Sequence, residues 1–194
     1  MNLEFEYLVY QMGIDDYTTR LSCKIATDAN NVKQKDYRVL AASTLENLTI
    51  NFGDLWDSDT VYSDRSSQIV YRGVQLLSRQ KVFWKVKVWD QENTQSEWSD
   101  VSTWEMGLLN SSDWKAKWIG KNELEQPVAG QRNPAPYFRK EFQLTSKPKN
   151  SRIYITGLGY YELYINGRKV GDHVLAPNQS NYDIRQENSF ENDK

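Results

Sequence analysis

Lys81-Val82-Phe83-Trp84-Lys85-Val86-Lys87-Val88-Trp89-Asp90 is the stretch on which the fold turns. In an extended chain, alternate side chains point to opposite faces. Val82, Trp84, Val86 and Val88 therefore share one face. Phe83, Lys85, Lys87 and Trp89 share the other, with the lysines in its middle. One apolar face backed by a charged one describes a strand half buried in a sandwich. Weaker segments of the same kind lie around it, at residues 21–26, 37–42, 67–72 and 102–106. Turn-rich stretches separate them: Asp28-Ala29-Asn30-Asn31, Gly53-Asp54 and Gln91-Glu92-Asn93-Thr94. Short strands with regular punctuation predict an all-β, antiparallel β-sandwich. No window keeps a 3.6-residue period over the ~10–12 residues a helix needs, and the best competitor, residues 73–79, is too short.

A boundary falls near residues 107–113, where a polar stretch gives way to Trp114-Lys115-Ala116-Lys117-Trp118-Ile119-Gly120. A polar loop with three of the five prolines follows, up to Pro136. Strand patterning then resumes at 136–144, with Phe138, Phe142 and Leu144 on one side, and at 152–156, with Ile153 and Ile155 aligned. Beyond Gly157-Leu158-Gly159, Tyr161, Leu163 and Ile165 form one face and Tyr160, Glu162 and Tyr164 the other. Asn166-Gly167 predicts a two-residue type I′ turn, because both positions require positive φ and these residues tolerate it. Residues 185–194 hold one large apolar side chain, Phe190, and read as a frayed polar tail.

Composition narrows the function. The chain has 194 residues, with 24 Lys and Arg against 26 Asp and Glu, a formal charge of −2. Such balance leaves no electrostatic footprint for nucleic acid or an anionic membrane, and neither partner is expected. With 7 Trp, 12 Tyr and 6 Phe, the rings must be buried or bind something. One cysteine, Cys23, permits no internal disulfide and no Cys-x-x-Cys motif; one histidine, His173, permits no His-x-x-x-His metal pair. No cofactor or metal is expected. Cys23 alternates with Leu21 and Ile25 and reads as a small buried residue. The start, Met1 to Glu6, has neither basic nor apolar signal character, which gives a cytoplasmic, bacterial expectation.

No catalytic residue is marked. Asp54, Asp57, Asp59 and Asp64 cluster beside Trp56, but without the glycine and terminal glutamate of an EF-hand loop, so they read as solvated turns. Paired acids for glycoside hydrolysis need a set separation across a cleft, and no pattern here supplies one. Three aromatics are candidates for contact with carbohydrate: Tyr160, Tyr164 and Trp118. Such rings stack on the apolar faces of sugars while a polar tip hydrogen-bonds. For Tyr160 and Tyr164 a cross-strand pair on the hairpin's outer face is the plainer reading. For Trp118 it is an indole that, with Trp114, pins a second domain onto the first.

Taken in order, these segments resemble a known family. They include Gly53-Asp54-Leu55-Trp56-Asp57-Ser58, Ser96-Glu97-Trp98-Ser99, Trp104-Glu105-Met106-Gly107, Asp113 to Gly120, Pro134 to Phe142 and Gly159 to Gly167. The set is similar to the N-terminal region of bacterial α-L-rhamnosidases, family 78 of the glycoside hydrolases, over roughly residues 3 to 184. The resemblance implies a fibronectin type III-like sandwich over residues 1–107 and a linker with an entering strand over 108–120. It implies the first part of a jelly-roll accessory domain, truncated, over 121–184. In the family, inverting hydrolysis of terminal α-L-rhamnosyl residues belongs to a later (α/α)6 barrel, so no catalytic residue carries over. The implied partners are a rhamnosylated glycan and the remainder of the rhamnosidase chain. A stand-alone carbohydrate-binding module and a fibronectin-like adhesion or scaffold module are the other readings. Cys23 stands where the family usually has Trp, and Asn178 to Tyr182 replaces a Gly-Trp-Thr-Asp-Tyr-like run. A half jelly roll would leave open strand edges, so the sandwich is expected to fold alone, with a protease-resistant product ending near Gly107.

Overall fold

The computed structural model describes residues 2–5, 12–25, 31–120, 135–174 and 176. The polar loop after Lys121, the 178–182 departure from the family pattern and the 185–194 tail lie outside these residues.

Among the described residues, nine strands build the first part of the chain: β1 (Asn2–Phe5), β2 (Met12–Ile14), β3 (Arg20–Lys24), β4 (Gln34–Ala42), β5 (Trp56–Asp57), β6 (Val61–Tyr62), β7 (Ile69–Val70), β8 (Lys81–Asp90) and β9 (Ser102–Met106). A one-turn helix, α1 (Leu45–Thr49), follows β4. One sheet has the order β1-β3-β7 and the other β2-β9-β8-β4-β5, with β6 also on β4. All pairings are antiparallel except β2 with β9. The β4–β8 ladder is the spine, running from Gln34↔Asp90 to Ala42↔Phe83.

The expected inner face of β8 is the core face. Val82, Trp84, Val86 and Val88 pack with Val39 and Ala41 of β4, Leu21 and Cys23 of β3, Ile69 of β7, and Trp104 and Met106 of β9. Residues from both sheets meet in one cluster, which is what makes a sandwich rather than two loose sheets. An aromatic series crosses it edge to face: Trp56 to Tyr71 at 5.3 Å, Tyr71 to Trp104 at 5.8 Å and Trp104 to Trp84 at 6.2 Å between centroids. The Tyr71 hydroxyl, 2.8 Å from Val74 O and 3.2 Å from Leu55 O, ties the loop after β7 to the core.

The opposite face of β8 is half-buried at Phe83, Lys87 and Trp89, as expected, and departs from the expectation at one position. Lys85 is buried, because α1 and the Trp98 loop cover it. Leu48 of α1 packs with Leu40 and Ala42, flanked by Phe83, Trp98 and Val101, as a second small core. α1 itself escaped the periodicity search because five residues cannot display a 3.6 period. Its local signal is Thr44, an N-cap that accepts from Asn47 N at 3.2 Å, with Glu46 in the first turn. Residues 73–79 form turns, not helix.

The chain divides into two compact units, one of residues 1–113 and 154–194 and the other Trp114–Ile153. The predicted hairpin is present as β10 (Tyr164–Ile165) and β11 (Arg168–Lys169). Asn166 and Gly167 both take positive φ, 51° and 79°, as a type I′ turn requires. The strands expected at 136–144 and 152–156 are not formed, and Phe138, Phe142 and Leu144 are exposed. Period-two patterning says which face a strand would bury, but a strand exists only when another chain segment takes its N–H and C=O groups. Neither segment belongs to a sheet among the described residues.

Candidate functional site

Tyr160 and Tyr164 occupy the outer side of the hairpin segment, 57% and 53% exposed, while Tyr161 on the other side is half-buried. The inward side is thus only partly covered, and Ile165 remains exposed. Tyr164 faces Lys169 across the ladder, so the cross-strand reading holds for it. Its hydroxyl donates to Glu162 Oε2 at 2.8 Å, and Lys169 Nζ donates to Glu162 Oε1 at 2.8 Å and to the His173 carbonyl at 2.9 Å. Lys169 first, then Tyr164, hold the Glu162 carboxyl below its ordinary pKa. The Tyr164 hydroxyl is therefore already engaged, whereas Tyr160 is exposed. Trp118 is 55% exposed and belongs to the other compact unit. Tyr160 and Tyr164 belong to one compact unit and Trp118 to the other.

The acidic cluster comes apart into separate structural tasks. Asp54 accepts from Ser43 N at 3.0 Å and Ser43 Oγ at 2.5 Å, fastening the turn after β4. Asp57 takes a two-pronged bond from Arg38, at 2.9 and 2.5 Å. That guanidinium is the main reason the Asp57 carboxyl sits below the usual range. Burial works against ionising Asp54, yet the Ser43 bonds hold its pKa down as well. Asp16 and Asp113 are pushed the same way by hydroxyl donors, Thr18 and Ser78. A general acid for glycoside hydrolysis needs the reverse, a carboxyl raised by an apolar pocket. Among the described residues, no group of three or more His, Cys, Asp or Glu side chains is placed to hold a metal ion.

Cys23 is buried on β3, as its alternation predicted, and burial pushes its thiol up to about 11. His173 is exposed. Sequence reasoning missed the cationic strip on the covered face of β8. Lys85 Nζ donates to Leu48 O and Asn51 Oδ1, both at 2.6 Å, and lies 4.8 Å from the Trp98 ring centroid. Lys87 lies at the same distance from that ring. The alternating lysines were the available signal, but nothing local said that α1 would close over them.

Two sheets that enclose one aromatic-rich core define an immunoglobulin-like β-sandwich. Residues 1–110 match the model of the Rha78A-like, N-terminal immunoglobulin domain, and residues 146–190 match the alpha-L-rhamnosidase N-terminal domain. The chain belongs to this family, and its resemblance is to the N-terminal region of family 78 α-L-rhamnosidases. An alpha-L-rhamnosidase of Formosa agariphila is 38% identical over 189 residues, which cover 89% of this chain and 20% of that protein. One from Alteromonas sp. is 34% identical, covering 93% of this chain and 20% of its own. The solved alpha-L-rhamnosidase of Dictyoglumus thermophilum superposes with a TM-score of 0.84 at 39% identity, covering 92% of this chain and 21% of that one. The chain thus spans about a fifth of the length of the relatives it matches.

Proposed function

We propose that this chain serves as a non-catalytic accessory part of an α-L-rhamnosidase, working with a further length of polypeptide that removes terminal α-L-rhamnosyl residues by inverting hydrolysis. The observation that carries this reading is coverage: two accessory-domain models account for most of the chain, while relatives named as rhamnosidases are about five times longer. The downward-shifted carboxylates of the sandwich support it, since they are poor proton donors at neutral pH. The purified chain is expected to release no product from a chromogenic α-L-rhamnoside. Turnover that disappears when one of this chain's own acids is changed to its amide would overturn the reading.

A second function, contact with a rhamnosylated glycan, is supported by the exposure of Tyr160, Tyr164 and Trp118. A solved relative from Streptomyces avermitilis, 40% identical over 62% of this chain with a TM-score of 0.59, is described as complexed with L-rhamnose. Titration with L-rhamnose, followed by tryptophan fluorescence and by NMR of the tyrosine rings, tests it. Saturable binding weakened by Tyr160→Ala is the expected result, and a flat titration rejects it.

A further inference from the structure

Arg79 sits where arginine is a poor choice for the backbone. Leu77-Ser78-Arg79-Gln80 is a turn closed by Gln80 N to Leu77 O at 3.1 Å, and Arg79, its third residue, has φ of 64°. With Ser78 outside the positive-φ region, this is a type II-like turn, in which glycine is favoured at that place. A side chain kept where glycine is easier calls for a reason in what it touches. The Arg79 guanidinium donates to the Asp113 carbonyl at 3.1 Å and lies 5.4 Å from the centroid of the Tyr154 ring. Asp113 and Tyr154 are the last residue before, and the first residue after, the compact unit Trp114–Ile153.

The neighbouring residue reinforces one side. Ser78 Oγ donates to the Asp113 carboxylate and accepts from Leu109 N at 2.9 Å. Asn110 adds bonds from its backbone N at 3.0 Å and its side chain at 3.2 Å to the same carboxylate oxygen. Arg79 N donates to Gly107 O at 2.9 Å, so the turn is anchored on the strand that leads out of the sandwich. The exit at Asp113 is thus held by several bonds, whereas the Arg79 side chain joins that exit to the point of return at Tyr154.

We propose that Arg79 is a clasp, which closes the stem of the 114–153 excursion by gripping both its ends and so ties the 154–174 hairpin segment to the sandwich. The inference stands whether or not the hairpin touches carbohydrate. It is tested by hydrogen–deuterium exchange of the full chain, read at two amides of that segment: Tyr161, which donates to Ala176 O, and Val170, which donates to Leu163 O. In Arg79→Gly the turn is relieved and the grip lost. The expected result is exchange faster by about tenfold at both amides, with the unfolding midpoint of the sandwich unchanged or raised. Tyr154→Leu removes the ring from the other side and leaves the turn intact; it is expected to accelerate the same amides. Unchanged exchange in Tyr154→Leu overturns the clasp. So does a lowered sandwich midpoint in that variant, which would make Tyr154 a core residue instead.

Discussion

Two side chains of the sandwich illustrate how local environment overrides residue type. Cys23 is flanked on β3 by Leu21 and faces the aromatic core, so its thiolate would have to form without water, and the pKa rises to about 11. The native protein is expected to be inert to a thiol-specific disulfide reagent at mildly alkaline pH and to react fully once denatured, read by absorbance. Prompt labelling of the native chain would contradict the packing. Lys85 is the reverse case, a cation inside. Burial, then Lys87, lower its pKa, and its ammonium donates both to the Leu48 carbonyl of α1, which also accepts from Asn51 N at 3.0 Å, and to Asn51 Oδ1. Lys85→Ala removes both charge-assisted bonds and the contact with the Trp98 ring. The expected loss is about 2 kcal/mol in denaturant unfolding. A change within about 0.5 kcal/mol would show that the face is wetter than described.

Elements were legible in proportion to how far they decide their own structure. The bounds of β8 and β9 coincide with the sequence reading, since an alternating run of Val and Trp has one good way to be buried. The Asn166-Gly167 hairpin is equally local: its turn fixes its register. The cover over Lys85 was not legible, because it depends on a five-residue helix that β4 and β8 jointly hold in place. Residues 136–144 and 152–156 show the limit in another way. Their pattern is as regular as that of β3, yet β3 has β1 and β7 beside it and they have no strand among the described residues. Of the site, Tyr160, Tyr164 and Trp118 were readable as exposed rings. The engagement of Tyr164 with Glu162 depends on side-chain reach and not on spacing.

The hairpin also carries a pH prediction. Glu162 has a folded-state pKa below the ordinary carboxylate range, because Lys169 first and then Tyr164 favour the charged form. Its support for the hairpin is therefore complete above the ordinary carboxylate pKa and disappears as pH falls through the depressed folded value. The Val170 amide is expected to lose protection in that acid range, after correction for intrinsic exchange, and Glu162→Gln is expected to flatten the dependence. An identical profile in the variant would remove Glu162 from the account.

At the scale of the whole molecule, burial is uneven. The sandwich encloses Trp84, Trp104, Leu21, Val39 and Val82 almost completely. Residues 135–153 instead present exposed, unladdered backbone that includes Arg139, Lys140, Lys147, Lys149 and Arg152. Trypsin is expected to cut first within 135–153 and to spare the lysines of β8, as read by mass spectrometry of early products. First cuts at Lys85 or Lys87 would mean that the sandwich opens as readily as the rest.

Two of the indoles described above, Trp84 and Trp104, lie edge to face in the centre of the sandwich, 6.2 Å apart. At that separation the electronic transitions of the two rings couple, and the coupling is chiral because the protein fixes the angle between them. The native module should therefore show a paired positive and negative ellipticity band from its tryptophans, superimposed on the weak signal of its sheets. Melting of that couplet would follow the loss of fixed packing between the neighbouring strands β8 and β9 without any added label.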